Sequence, residues 1–117
     1  MSSANREIVA RGYADFNERG VPGILDLLDP DVRWFSLDLR LRPVHLQGSR
    51  EAGKFIEAVL ERADGVRFEP LELWSAGDRV LARVRLHARA PGATSPGVWD
   101  MSHLWQVRDG RMTRFRL

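Results

Sequence analysis

PGVWDMSHLWQVRDGRMTRFRL, residues 96–117, alternates with period two: Trp99, Met101, His103, Trp105 and Val107 share one face, and Asp100, Ser102, Leu104, Gln106 and Arg108 the other. Successive side chains of a strand point to opposite faces, so the pattern predicts a strand with one buried face. Arg108-Asp109-Gly110-Arg111 then supplies an Asp-Gly turn, the strongest short-range hairpin signal, with Met112–Leu117 as the returning strand. His103 is the odd member, an ionisable ring amid an apolar, aromatic face. Trp74, Trp99 and Trp105, three of the four tryptophans, lie in or near this sheet. Such a face suits the wall of a pocket better than a plain core. The functional reading hangs on that histidine.

Outward from the hairpin, residues 91–97 are a Gly/Pro/Ser loop, and Arg79–Ala90 alternates most cleanly of all. Val80, Ala82, Val84, Leu86 and Ala88 are expected inside, with Arg83, Arg85, His87 and Arg89 outside. Gly77-Asp78 turns the chain. Val66–Ser75 reads as a strand whose phase slips at Pro70, which predicts a bulge there.

The first half is helical. Ser2 or Ser3 is expected to cap a helix from about Ala4 to Arg19, with Ile8, Val9, Tyr13 and Phe16 as its buried stripe and Gly20 as its stop. A second helix is predicted over Val21–Leu28, with Pro22 in its first turn and Asp29-Pro30-Asp31 ending it. Val32–Leu41 alternates as a strand, Val32, Trp34, Ser36 and Asp38 on one face, running into an extended arm broken at Pro43. Ser49 is read as the cap of a third helix, with Ala52, Phe55, Ile56, Val59 and Leu60 inward, ending near Asp64-Gly65.

Composition sets the bounds. The 117 residues suit one domain and one core, residues 1–117 throughout. With no cysteine, disulfides, zinc-thiolate sites and thiol nucleophiles are excluded. Lys54 is the sole lysine among 18 basic residues, so the high pI reflects arginine and not a large field, the net charge being only +2. No apolar run has transmembrane length, and MSSANREIVAR lacks the apolar core of a signal peptide, so the expectation is a cytoplasmic protein without a membrane partner. His45, His87 and His103 are far apart in sequence, and no metal site is expected.

Helix, helix, strand, helix and then antiparallel strands give an α+β domain with helices on one face of a curved sheet. The first helix ending Gly-Tyr-Ala-Asp-Phe-Asn-Glu-Arg-Gly, the Leu-Asp-Pro-Asp-Val-Arg-Trp lead into the first strand, Gly-Ser-Arg-Glu at the third helix and Val-Arg-Asp-Gly-Arg-Met-Thr-Arg-Phe at the last hairpin occur in order. Together they resemble the nuclear transport factor 2-like superfamily, in its SnoaL-like and ketosteroid-isomerase-like branch, over essentially the whole chain. The resemblance implies a cone-shaped half-barrel, a curved, mostly antiparallel sheet with the three helices on its concave face around a deep pocket. It implies that Tyr13 matches the tyrosine that donates to a substrate oxyanion in ketosteroid isomerases. His103 stands where those enzymes keep a protonated Asp, and Ser36 where their general-base Asp would be, with Asp38 two residues on. This chain departs from the isomerase pattern at two of the three positions.

A histidine among Trp34, Trp99 and Trp105 is expected to be desolvated and neutral, able to act as base or hydrogen-bond donor near pH 7. Tyr13 is expected to polarise a carbonyl, and Asp38, if it reaches in, to serve as base or to orient His103. Phe16, Trp34, Ser36, Phe55, Trp99, Met101, Trp105 and Phe115 are the expected substrate-binding residues. Similarity to SnoaL-like proteins implies a hydrophobic, polyketide- or steroid-like carbonyl substrate handled without metal or cofactor by isomerisation, cyclisation or dehydration. The rival reading is a non-catalytic ligand-binding or dimerisation module; a protein-transport adaptor would need an exposed apolar patch. Arg83, Arg85, Arg89, Arg108, Arg114 and Arg116 are expected on the convex face, through which family members dimerise, paired in part with Glu69, Glu72 and Asp100. That row lacks interleaved aromatics, so no nucleic acid is expected as partner. The inward row Val80–Ala88 holds no arginine, which argues against the Asp-Arg-Asp arrangement of epoxide hydrolases of this fold. Relatives continue past the last strand with a segment over the pocket mouth; with Leu117 last here, the mouth is expected to be open or closed by a partner chain.

Overall fold

A computed structural model describes residues 2–38 and 40–117, without the side chains of Ser2 and Ser3, so the serine-cap expectation and Leu39 fall outside it. The chain runs α1 (Ser2–Arg19), α2 (Val21–Leu25), β1 (Leu28–Leu37), β2 (Pro43–Gln47), α3 (Ser49–Leu60), β3 (Asp64–Ala76), β4 (Arg79–Arg89), β5 (Gly97–Arg108) and β6 (Arg111–Arg116). The strands form one open mixed sheet in the order β2-β1-β6-β5-β4-β3, and the helices pack on one of its faces. Among the described residues only β1 and β6 pair in parallel.

The C-terminal half folds as its alternation predicts. Asp109 and Gly110 both have positive φ (52° and 76°), the backbone of a tight two-residue hairpin turn, and a glycine adopts it without a Cβ penalty. On β4, Val80, Ala82, Val84 and Ala88 are buried while Arg83 and Arg89 face water. The β3–β4 register shifts between Pro70 and Glu72, so the phase slip at Pro70 is a bulge. In α1, Val9, Tyr13 and Phe16 are buried together against the sheet. Each large apolar side chain so buried contributes about 1.5–3 kcal/mol.

The N-terminal half departs from its periodicity in three places. The second helix stops at Leu25, and Leu28 already pairs with Met112 in β1. The apolar run Ile24–Leu28 fits a helical and an extended period equally, and the parallel pairing with β6 decides the matter. Asp29-Pro30-Asp31 is therefore an irregularity inside β1 and not a helix stop. The stretch after Pro43 is a strand, β2, a half-exposed edge where proline at the first position forfeits no needed bond. Ser49 is the first helical residue of α3; the cap is Gly48, at φ 98°, with no side-chain bond. No helix among the described residues is long and apolar enough to cross a membrane.

Candidate functional site

Between the concave sheet face and the helices lies an apolar cavity of about 640 Å³. That is within the usual range of small-molecule sites, roughly 300–1,000 Å³. α1 contributes Tyr13 and Phe16, β1 contributes Trp34 and Ser36, and α3 contributes Phe55. From the hairpin strands come Trp99, Met101, His103, Trp105 and Phe115. Ten of the eleven residues expected at the site thus meet around one void. Of these Trp99 is 48% exposed, whereas His103 is buried.

The eleventh does not join them. Asp38 does not line the cavity; its carboxylate closes the β1–β2 turn, accepting from the backbone N–H of Arg40 (2.8 Å) and Arg42 (2.9 Å) and from Arg42 Nε (2.8 Å). Those bonds hold its pKa below the usual carboxylate value, the Arg42 backbone contributing most. An acceptor two residues ahead of a tight turn is the ordinary work of an aspartate. It is not the base of this site.

β5 places His103 and Trp105 two residues apart on one face, and α1 brings Tyr13 across to both. Tyr13 Oη and His103 Nδ1 are 2.7 Å apart, and Trp105 Nε1–H donates to Tyr13 Oη at 2.9 Å. The Tyr13 and His103 rings stack at 5.9 Å and 18°. Phe115 lies edge-on to His103 at 4.9 Å, and Phe68 closes the other side at 5.7 Å. Trp34 stacks on Phe115 and stands behind this group without pairing with the imidazole. Burial is the cause of both shifts: the His103 pKa falls from 6.5 to about 4, and the Tyr13 hydroxyl is pushed well up, partly offset by the bond from Trp105. Near pH 7 the pair is a neutral phenol hydrogen-bonded to a neutral imidazole.

Among the described lining residues Arg62 is the one permanently charged side chain, and none is an aspartate or glutamate. Among the described residues no group of three or more His, Asp or Glu is arranged to hold a metal. Sequence reasoning missed Phe68 as a wall residue, although its parity with Val66 ahead of the bulge is the signal that finds it.

The convex face carries the arginine row. Arg85 pairs with Asp100 (2.8 Å) and Arg83 with Glu72 (3.4 Å), whereas Glu69 pairs with His87 (2.9 Å) instead of an arginine. Trp74 and Leu81 lie opposite one another there, 48% and 41% exposed.

The comparisons fit this architecture. The SnoaL-like domain profile matches residues 9–115, so the chain belongs to the SnoaL-like family of the nuclear transport factor 2-like superfamily. An NTF2-like protein of unknown function from Burkholderia pseudomallei is 27% identical over 99% of this chain and 89% of its own, with TM-score 0.85. TerC, crystallised with polyporic acid, is 28% identical over 97% of this chain and 88% of its own, with TM-score 0.82. A putative polyketide cyclase from Sinorhizobium meliloti, at 23% identity over 94% and 92% and TM-score 0.75, shares the fold. No curated protein matches the sequence.

Proposed function

We propose that this member of the SnoaL-like family is an enzyme acting on a mainly apolar, carbonyl-containing small molecule of polyketide- or steroid-like size. Its chemistry is cofactor-free acid–base work: isomerisation, cyclisation or dehydration. One observation carries the proposal. The chain Trp105–Tyr13–His103 ends at the wall of a cavity lined mainly by aromatic and aliphatic side chains. A neutral imidazole N–H, held in place by the phenol, polarises a carbonyl oxygen and steadies the charge that develops on it, at no cost of reorganisation. TerC's crystallisation with polyporic acid supports that compound as the first to try.

The test is a turnover screen of polycyclic ketones, quinones and steroidal enones, in chelator and without added cofactor. Conversion by the wild type, lost by at least about 100-fold in His103→Ala with the fold intact, is the expected result. Conversion unaffected by that substitution removes His103 from the chemistry.

A second reading has its own support. With Asp38 turned away and no aspartate or glutamate among the described lining residues, no carboxylate side chain is placed to act as base, which favours a ligand-binding module. Saturable binding without turnover across the panel selects it. The proposal extends to a homodimer: the convex face mixes both charge signs with Trp74 and Leu81, as a self-complementary surface requires. Sedimentation of the wild type as a dimer and of Leu81→Asp as a monomer is the outcome that supports it.

A further inference from the structure

A neutral imidazole can meet a ligand in two ways, as an N–H donor or as a bare nitrogen. We propose that Trp105 decides between them: it is a positioning residue that fixes the hydrogen bonds through Tyr13 so that His103 faces the cavity as an Nε2–H donor, and the ligand group taken there is an acceptor oxygen with no proton of its own. The part about the ligand rests on the function proposed above; the part about Trp105 does not.

The direction follows from counting protons. An indole nitrogen only donates, so the 2.9 Å contact is Trp105 Nε1–H to Tyr13 Oη. A phenol oxygen has two good positions in the plane of its ring, one for its own proton and one for an incoming donor. Trp105 takes the second. The 2.7 Å contact to His103 Nδ1 then falls to the Tyr13 O–H, and Nδ1 is the acceptor. A neutral ring with a bare Nδ1 carries its proton on Nε2.

The opposite arrangement, Nδ1–H to Oη, makes the phenol accept twice and leaves its O–H without a partner among the described residues, since Tyr13 is 4% exposed and makes no third side-chain bond with them. The bond from Trp105 also polarises the phenol and makes its O–H the better donor.

His103 Nε2 has no hydrogen-bond partner among the described residues. Trp34 Nε1 is the sole fully enclosed side-chain polar atom there that lacks one, so Nε2 is open to the cavity. The rings of Phe68, Phe115 and Trp105 stand around the imidazole, and none of these side chains offers it a good acceptor. A ketone or quinone oxygen satisfies Nε2–H and asks for nothing in return. An alcohol in the same place accepts the bond but leaves its own O–H among aromatic rings.

Two measurements test the pair of claims. Long-range 1H–15N correlation of the ligand-free, 15N-labelled protein at pH 7 reads the tautomer directly. The expected spectrum shows a protonated Nε2 and a bare Nδ1 for His103, with Trp105→Phe moving both signals toward the average of the two tautomers. A purely structural role for Trp105 would leave them where they are, and that result overturns the proposal, as does a protonated Nδ1 in the wild type. Should Trp105→Phe not fold, Tyr13→Phe cuts the same chain one bond further on and is read the same way.

For the ligand, fluorenone and fluorenol are titrated as a matched ketone and alcohol. The ketone is expected to bind about fivefold to tenfold tighter in the wild type and equally in His103→Ala, the effect of one unmade hydrogen bond. Equal affinities in the wild type overturn the ligand claim. Failure of both probes to bind overturns it together with the proposed function, while the tautomer alone continues to decide the role of Trp105.

Discussion

The side-chain amide of Asn17 behaves as a piece of strand toward Phe68: its Nδ2 donates to the Phe68 carbonyl at 2.7 Å and its Oδ1 accepts from the Phe68 N–H at 2.9 Å. β3 is the last strand of the sheet, so these backbone groups lack a neighbour on that side. One helical residue pairs the open edge and fixes Phe68 against Tyr13, Phe16 and His103. Asn17→Ala is expected to lower stability by about 1–2 kcal/mol, a shift of a few degrees in Tm. Asn17→Asp is expected to cost more at pH 7, since a carboxylate faces a carbonyl. Thermal melts of the three proteins check this; an Asn17→Ala melt superimposed on the wild type would mean that water replaces both bonds.

Gly23 sits where α2 crosses α1 with no room for a side chain. A Cβ there would lie 2.7 Å from the Asp15 carbonyl carbon and nearer still to its oxygen. Because that obstacle is backbone, the helices must separate to admit a methyl group. Gly23→Ala is expected to destabilise by about 1–3 kcal/mol in urea denaturation, although alanine is the better helix former. A neutral or stabilising result would show that α2 shifts freely on α1.

These two contacts mark the limit of what could be read in advance. Strands β4, β5 and β6, their turn at Asp109-Gly110 and the bulge at Pro70 were all legible, because period two and turn chemistry are local signals. His103 stood out on the same grounds, whereas Tyr13 was placed beside it by the family resemblance, its helical spacing alone marking only a buried stripe. The early end of α2 and the Asn17 bridge depend on partners far along the chain, Met112 for Leu28 and Phe68 for Asn17, the latter 51 residues away; strand β2 depends on its pairing back onto β1. Asp38 failed for a related reason: parity put it on the inner face, but the chain turns at that residue and its carboxylate is taken by the turn. The direction of the bond between Tyr13 and His103 was equally hidden, since it depends on a third residue donating to the same oxygen.

Among the described residues Trp34 carries the one enclosed side-chain polar atom without a partner, its indole nitrogen. Its ring stacks on Phe115 at 4.1 Å and meets Trp105 edge-on at 5.8 Å. An orphaned buried donor costs about 1–3 kcal/mol, which offsets part of what the stacked ring contributes. Trp34→Phe is therefore expected to fall within about 1 kcal/mol of the wild type, whereas Trp105→Phe, which gives up a made bond, is expected to be the less stable of the two. Circular dichroism in urea separates them without relying on tryptophan emission. The reverse order would mean that Trp34 contributes through packing alone.

Acid stability gives the most direct reading of His103. Its pKa is 6.5 in the unfolded chain and about 4 when burial disfavours the cation in the fold. Above about pH 6.5 both states carry the neutral ring and the residue adds no pH dependence. Between the two values the unfolded chain binds a proton that the folded chain refuses, so stability falls as pH drops, by up to about 1.4 kcal/mol per unit. Below about pH 4 both states are protonated and the loss is complete, at about 3 kcal/mol. His103→Gln has no proton to bind, so its stability is expected to fall less steeply through this window. Subtracting its curve from the wild type cancels the other titrating groups, including the ion-paired Asp78 and Asp100. Denaturation at half-unit steps from pH 7 to pH 4 supplies both curves. Parallel curves would mean that water or a counter-charge reaches the imidazole, and the dry, neutral site on which the proposed chemistry depends would be lost with them.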